Sequence, residues 1–393
     1  MRRIDQVLLV GVLGLLTSFA PMSIDMYLPA LPAIGAGFAV SQAAVQGSLS
    51  GFFFGFGLGQ LFWGPVGDWL GRRWPSAAGI LLYLAGCVGC ALAGDIATLT
   101  AWRVVQALGA CAAPVLARAM VRDTHEGARA ASVMSAMMLV GSIAPMVAPL
   151  IGGQVLRFAD WRAIFWVLAA FGVIGLLGLF SIGETLPRER RTGAPWRTML
   201  GSYAELLRHR HYLGHVLAGA CIYGGMFAYI SGTPFVYITI YGVGPQYYGL
   251  LFGLNVVGMM LANSLNGWLV LRVGSARMLR LGCALAGTFG LLLLAIAWLG
   301  LGGLPGLVVG IFLFVSLMGV IAPNAMAGAL AEFPHMAGAA SALAGTLQFL
   351  AGALAGWLVG RLANGTAVPM AGVIAAMGVV CAGALLLLRD RRG

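Results

Sequence analysis

The chain has 393 residues, of which 60% are hydrophobic and 9% are charged, and its formal net charge is +11. This composition excludes an ordinary soluble domain, and the apolar runs have the length of membrane-spanning helices. All 23 basic residues are arginines, so a phosphate-binding loop with its lysine and a lysine Schiff base are both excluded.

Twelve apolar spans follow one another along the chain and predict an all-α membrane protein. They cover roughly residues 7–30, 43–66, 76–94, 98–121, 130–153, 162–183, 212–238, 246–271, 279–299, 304–328, 338–361 and 368–388. The longest polar stretch, Glu184–His211, divides them into six and six. We therefore predict an N-terminal half at 1–183, a cytoplasmic linker at 184–211 and a C-terminal half at 212–393. Two such halves with a site between them are typical of transporters.

The first span carries Asp25, and none of the other acidic residues falls inside a predicted span. A carboxylate buried in a membrane must find a partner, face water or carry a proton, so Asp25 is a functional candidate. Pro29 and Pro32 follow it and are expected to end the helix soon afterwards. The alternative is that Asp25 only reaches the outer interface.

The loop between spans 2 and 3 combines glycines with charges: Gly64, Asp68, Gly71, Arg72 and Arg73. We expect a positive φ at Gly71, where the chain must turn tightly. Asp68 at the membrane edge could accept hydrogen bonds from the N-terminus of a neighbouring helix. Without further evidence, such a charged turn would be a topology marker only.

Span 4 carries Arg103 a few residues after its start, as span 1 carries Asp25 near its predicted end. Because the two helices run in opposite directions, both residues are expected about 7–10 Å below the outer boundary. They could then meet directly or through water. The alternative for Arg103 is an anchor at the interface.

Span 5 contains two prolines four residues apart among several glycines, namely Gly141, Pro145, Pro149, Gly152 and Gly153. The prolines lie on one face, remove two backbone hydrogen bonds and are expected to bend the helix. Such a bend could shape the seal between the halves, or it could be tolerated packing.

Polar side chains inside the second-half spans are candidates for the wall of a cavity. Tyr229, Asn255, Asn324 and Gln348 are the principal ones. Buried amides in lipid must find partners or face a wet cavity, so a hydrogen bond between helices is the alternative for each. The six cysteines lie in apolar spans and the five histidines lie at span ends, a pattern that indicates no metal site.

The arginines cluster on one side of the predicted membrane. Nineteen fall on that side: Arg2, Arg3, Arg72, Arg73, Arg118, Arg122, Arg129, Arg188, Arg190, Arg191, Arg197, Arg208, Arg210, Arg272, Arg277, Arg280, Arg389, Arg391 and Arg392. Arg157, Arg162 and Arg361 fall on the other. This asymmetry places both termini and the linker in the cytoplasm and explains the net charge without a nucleic-acid partner.

Several of these stretches resemble a known family. The run from Gly64 to Arg73 is similar to the loop 2–3 signature of the major facilitator superfamily, and Arg103, Gln106 and Gly109 resemble its second motif. The span 5 pattern resembles the motif of its antiporters, although Ala144 precedes Pro145 where glycine is usual. The stretches 25–29, 229–237 and 339–349 resemble the bicyclomycin and chloramphenicol resistance (Bcr/CflA) branch of the drug:proton antiporters.

The resemblance implies a major facilitator fold and proton-coupled efflux of drug-like molecules by alternating access. It implies proton coupling by Asp25 and Arg103, a charge cluster of Asp68, Arg72 and Asp123 that stabilises the outward-open state, and cavity roles for Tyr27 and Pro234. No cofactor is expected beyond the proton gradient, and the partners are small amphipathic substrates, protons and lipid.

The resulting expectation is a multi-pass monomer in a bacterial inner membrane. A proton-coupled importer or a dedicated exporter of a single metabolite is the alternative on the same fold. An intramembrane enzyme is a rival of another class, but the sequence offers no nucleophile–base pattern for it.

Overall fold

The computed structural model describes residues 3–191 and 196–388, without the side chains at 3–6, 128, 131, 196–199 and 335. Arg2, Arg389, Arg391 and Arg392, which contributed to the predicted arginine asymmetry, lie outside the described residues.

Twelve apolar helices, numbered α1 to α12, follow one another along the described chain, and a short linker helix lies between α6 and α7. They are α1 Val7–Phe38, α2 Gln42–Leu70, α3 Arg73–Ala91, α4 Ile96–Thr124, α5 Gly127–Phe158, α6 Arg162–Ser181, α7 Arg210–Ile240, α8 Pro245–Val273, α9 Ser275–Leu299, α10 Gly303–Ala331, α11 Ala337–Arg361 and α12 Val368–Ala384. Ten are long and apolar enough to cross a membrane by length and composition. The other two are α12, which is shorter, and α2, which is long but carries polar residues such as the buried Gln46 and Gln60. The predicted all-α, twelve-helix fold is confirmed.

The first helix differs most from its predicted course. Helical structure begins at Arg3, four residues before the apolar span, and is divided into the segments Arg3–Thr17, Phe19–Asp25 and Leu31–Phe38, with a 3₁₀ turn at Leu28–Ala30. The α-helix is interrupted after Asp25, close to where Pro29 and Pro32 were expected to end it, but the chain then resumes a helical course and continues to Phe38. Each proline lies in the first turn of the segment that follows, where its missing N–H leaves no intrahelical bond unmade.

A short helix, Trp196–Leu206, was not predicted in the linker. Tyr203 and Leu206 pack with Tyr212 and Phe333 in a small apolar cluster, so the end of the linker is attached to the second half. The linker lies between the end of α6 and the start of α7, and its exact limits at 184 and 211 stay a prediction.

The halves contact each other along α2 and α11 and along α5 and α8. The Thr346 hydroxyl donates to the Gly57 carbonyl over 2.9 Å, and the Gln46 side-chain amide donates to the Ser231 carbonyl over 2.7 Å. A Cβ added at Gly153 would lie 2.6 Å from the Pro245 carbonyl oxygen. Glycine therefore permits the close approach of α5 and α8.

The side of the protein that carries the α2–α3 and α4–α5 loops and the linker is called the arginine-rich side below, and the other the opposite side. The contacts of Gly153 and Gln46 lie toward the opposite side. Toward the arginine-rich side, Leu261, Asn263, Ser264 and Leu265 are all exposed on α8. Because successive residues point in different directions around a helix, this exposed part of α8 is not covered by the first half, although α8 still contacts α10 there through Asn266 and Asn324. The α5–α8 contact between the halves therefore does not extend to the arginine-rich side.

Candidate functional site

A cavity of about 300 Å³ lies between the halves. Its wall is mainly apolar, and its polar members are Asp25 from the first half and Tyr223, Tyr229 and Asn255 from the second. The remaining lining residues are Ala20, Pro21, Ile24, Pro145, Met226, Phe227, Ile230, Phe252, Val256, Met259, Val315 and Phe349. An apolar pocket with a few polar groups is what binding sites for small molecules usually offer.

Asp25 is the carboxylate of this cavity. It is the last residue of the helical segment Phe19–Asp25, where α1 is interrupted, and the residue is only 4% exposed. No hydrogen bond or ion pair joins its side chain to another described residue. Its electrostatic neighbours are the hydroxyls of Tyr229 and Tyr248 in the second half.

Arg103 is fully buried within the first half. One Nη donates to the Ser23 carbonyl over 3.1 Å and to the Gln106 side-chain oxygen over 2.7 Å. The guanidinium carbon lies 4.3 Å from the ring centres of both Tyr27 and Phe52. These are cation–π distances, so the aromatic rings provide the main environment of this charge.

The structure does not show the direct contact between Asp25 and Arg103 that the helix ends suggested. Asp25 is about 20 Å of helix rise from the end of α1, because α1 continues to Phe38. Arg103 instead reaches the backbone of α1 at Ser23, two residues before Asp25. It can therefore fix the segment that carries Asp25 without pairing with it.

The other predicted cavity residues divide into two groups. Tyr229 and Asn255 are in the wall, where the Asn255 amide donates to the Tyr229 hydroxyl over 3.1 Å and its own oxygen has no described partner. The rest lie outside the cavity wall, in packed regions. Tyr27 bonds Ser48 over 2.8 Å, Asn324 donates to Asn266 over 2.7 Å, Gln348 lies beside Gly219, and Pro234 begins a buried π-helical turn.

The α2–α3 loop forms the predicted charge cluster. Arg72 donates to Asp68 over 2.6 Å and to Asp123 at the end of α4 over 2.7 Å. Asp68 therefore pairs with an arginine rather than with a helix N-terminus. Arg73 lies outside this cluster, donates to the Phe180 carbonyl and stacks on its ring.

Glu184 completes this loop and was not predicted. It accepts the backbone N–H groups of Arg72 over 2.8 Å and of Arg73 over 3.2 Å. Partial burial alone would raise its pKa, but these donors, that of Leu186 and the Arg191 charge outweigh burial and hold the pKa of Glu184 below its usual range. Glu184 therefore ties the chain after α6 to the α2–α3 loop.

The loop glycines differ in their roles. Gly71 has φ of +94°, as expected for the residue that ends α2 and turns the chain. At Gly64 a Cβ would meet nothing within 4 Å, so packing does not require glycine there.

The α5 motif lies against both halves. Gly141 faces Thr17 of α1, Pro145 lines the cavity, and Pro149 is buried. A Cβ added at Gly152 would collide with the Met26 carbonyl, and Gly153 packs closely against α8. This end of α5 therefore closes the opposite side of the cavity. The helix continues from Gly127 to Phe158 through both prolines.

Among the described residues, no group of three or more histidine, cysteine or acidic side chains could hold a metal ion. Sequence reasoning gave no special place to Arg118, which was counted only among the loop arginines. The structure places it within α4 and exposed.

A cavity between two six-helix halves that are closed together on one side defines a membrane transporter. The chain belongs to the major facilitator superfamily: the profile of that family matches residues 13–356. It is accordingly a multi-pass membrane transporter rather than an enzyme.

Its relatives extend over nearly the whole chain. The Haemophilus influenzae protein called "Bicyclomycin resistance protein homolog" is 36% identical, and the match covers 96% of this chain and 95% of that protein. The Bacillus subtilis transporter YdgK is 37% identical, covering 96% and 94%. "Multidrug resistance protein MdtL" of Escherichia coli is 30% identical, covering 93% of each chain. These relatives confirm the branch that the sequence motifs indicated.

Solved structures share the fold at much lower identity. The E. coli xylose transporter XylE, in a partially occluded inward-open conformation, has a TM-score of 0.75 at 16% identity and covers 100% of this chain and 99% of its own. A peptide transporter of the POT type has a TM-score of 0.75 at 14% identity, covering 98% and 93%. At these identities the comparison shows the fold alone.

Proposed function

We propose that the protein exports drug-like amphipathic molecules across a bacterial inner membrane in exchange for protons. The observation that carries the proposal is Asp25, a carboxylate without a described partner in an otherwise mainly apolar cavity between the halves. The names of two relatives, which refer to bicyclomycin and multidrug resistance, support export over import.

The proposed cycle uses the protonation state of Asp25. A substrate that enters the cavity from the arginine-rich side favours ionised Asp25, and a proton leaves to that side. The halves then rock so that the cavity opens on the opposite side. A proton from that side neutralises Asp25 as the substrate departs, which lowers the cost of burying the side chain during the return.

Arg103 acts in this cycle as a positioning residue. Its bond to the Ser23 carbonyl holds the α1 segment that ends at Asp25. The cluster of Asp68, Arg72 and Asp123 stabilises the outward-open arrangement. In the arrangement seen in the structure, Gly152 and Gly153 allow α5 to close the opposite side. The protein works as a monomer in the bilayer, with the proton gradient as its energy source and no cofactor.

Gradient-driven transport in proteoliposomes tests this function, with bicyclomycin and chloramphenicol as probes. Unmodified protein should accumulate at least one probe when a pH gradient is imposed and should stop when the gradient is collapsed. Asp25→Asn should fold but not respond to the gradient, whereas Asp160→Asn, which removes an exposed acid, should transport normally. Equal gradient-driven transport by Asp25→Asn would show that the carboxylate is structural.

The proposed orientation places the arginine-rich side, with Glu184–His211, in the cytoplasm. The six native cysteines are buried, so cysteines introduced at Glu205 and Asp160 can report on the two sides. In intact cells an impermeant thiol reagent should label Asp160→Cys and not Glu205→Cys. Labelling of Glu205→Cys would contradict the orientation.

A further inference from the structure

Arg118 is an exposed arginine on an otherwise buried part of α4. Leu116, Ala117, Ala119 and Met120 around it are all buried. Arg118 lies about 9 Å of helix rise before the end of α4 at Thr124. An intramembrane arginine is expected to face a partner or a water-filled cavity rather than lipid.

The side chain of Arg118 is directed toward the middle of the membrane. Its Nε donates to the Pro114 carbonyl one turn earlier in α4 over 3.1 Å. The guanidinium also interacts electrostatically with the hydroxyl of Tyr223 on α7 of the other half. Because Tyr223 lines the same cavity as Asp25, Arg118 stands at the mouth of that cavity on the arginine-rich side.

No described residue neutralises the charge of Arg118 with an ion pair. No carboxylate of the described residues lies within ion-pair distance of it, in contrast to Arg72, which pairs with two aspartates. Only its Nε makes a hydrogen bond to the described chain. The two Nη groups are left to donate, and a guanidinium with free Nη groups suits a carboxylate or another oxygen acceptor.

We propose that Arg118 and Tyr223 form a second polar subsite of the cavity, which binds an acidic or strongly electron-rich oxygen group of the substrate. This inference rests on the proposed export function and narrows its substrate class. The cavity then has two poles, with Asp25 deep in the wall and Arg118 at the mouth, and apolar side chains between them. The substrates that fit are dipolar, with a hydrogen-bond donor or cationic group at one end, an apolar body, and an oxygen acceptor or carboxylate at the other.

Equilibrium binding of two matched probes tests the subsite on the purified full-length protein. The probes are 1-naphthoate and 1-naphthamide, which share one ring system and differ in the charge of one group. The unmodified protein should bind the carboxylate about ten-fold more tightly than the amide, the size of effect expected for a charge-assisted hydrogen bond. Arg118→Gln should abolish this preference, because the loss of affinity should be larger for the carboxylate than for the amide.

Arg122→Gln is the matched control, because it removes a positive charge one turn further along the same helix and should keep the preference. Arg118→Lys keeps a charge without the planar donor pair and should retain part of the preference, which provides a second test if Arg118→Gln does not fold. An unmodified protein without the preference, a preference that survives Arg118→Gln, or an equal loss in Arg122→Gln would overturn the subsite. Since these measurements need no gradient, their outcome is separate from that of the Asp25→Asn transport test.

Discussion

Asp25 and Arg103 are both buried charged residues of the first half, yet their surroundings are opposite in kind. Arg103 lies among aromatic rings, with hydrogen bonds to Ser23 and Gln106. Asp25 faces the space between the halves without a described hydrogen-bond partner. The two sites are only a short distance apart along α1, since Arg103 bonds to the carbonyl two residues before Asp25.

The difference in surroundings indicates that Asp25 can change its charge, whereas Arg103 stabilises the structure around it. A carboxylate at a cavity can exchange a proton without breaking any contact of the fold. A guanidinium remains charged at all relevant pH values. Arg103 therefore contributes through its packing and hydrogen bonds and not through a change of charge. The predictions below test this division, from the largest expected effect to the smallest.

Arg103→Ala should destabilise the protein by about 2–4 kcal/mol, because it leaves a cavity between Tyr27 and Phe52 and removes the donor to buried oxygens. Asp25→Asn should change stability by less than about 1 kcal/mol, since it breaks no described contact. Thermal unfolding in detergent provides the measurement. Arg103→Lys should recover little, because lysine lacks the planar group that stacks on the rings. Similar losses of stability in Asp25→Asn and Arg103→Ala would contradict the distinction between a titrating Asp25 and a structural Arg103.

Gly153→Val should prevent closure on the opposite side and reduce transport at least about ten-fold, because its side chain would collide with the Pro245 carbonyl. Gly64→Ala is the control: open space surrounds that position, and alanine should stabilise α2 by up to about 1 kcal/mol. Labelling of a cysteine at Ile24 from each side would report closure. Unchanged labelling in Gly153→Val would show that this contact is not the seal.

Asp123→Asn should slow transport several-fold, because Arg72 would lose the more buried of its two carboxylates. The Asp123 side chain is 14% exposed and that of Asp68 is 49% exposed, so Asp68→Asn should have the smaller effect on stability. Both variants should still bind substrate, which calorimetry can check. A larger loss of stability in Asp68→Asn would contradict the order inferred from burial.

Glu184→Gln should have the smallest effect, a modest loosening of the α2–α3 loop. Because the folded-state pKa of Glu184 is lowered, its stabilising contribution is present above its ordinary pKa and is lost as the pH falls through the lowered value. Hydrogen exchange at the amides of Arg72 and Arg73 should accelerate in the variant. In the unmodified protein the same change should appear only at acidic pH, and equal protection in both proteins at neutral pH would rule out the tie.

Much of the fold could be predicted, because each apolar span has the length of a membrane crossing and most ends lie within a few residues of their expected positions. The end of α1 at Phe38 could not be predicted. Proline usually ends a helix, but Pro29 and Pro32 each lie in the first turn of a new helical segment, where proline is tolerated. The charge cluster was implied by the resemblance of the loop to the family motif, whereas Glu184 was not predicted, because its contacts depend on where the end of α6 lies relative to α2.

The site was only partly predictable for a related reason. Asp25, Tyr229 and Asn255 stood out as polar residues in apolar spans, but Asn324 looked the same and pairs with Asn266 instead. Sequence shows that a polar side chain needs a partner and does not show which one. Arg118 fell inside the predicted span 98–121 but was counted with the arginines of the α4–α5 turn, because the sequence does not show whether a side chain near the end of a span faces a cavity or the interface.

Proton release on substrate binding is the most direct test of the central claim that Asp25 carries the exchanged proton. Bicyclomycin or chloramphenicol, whichever the protein transports, is added to purified protein in weakly buffered solution, and the pH is recorded with an indicator. The unmodified protein should release protons in proportion to the substrate bound, while Asp25→Asn should bind and release none. Equal release from Asp25→Asn, or none from the unmodified protein on binding, would contradict the account.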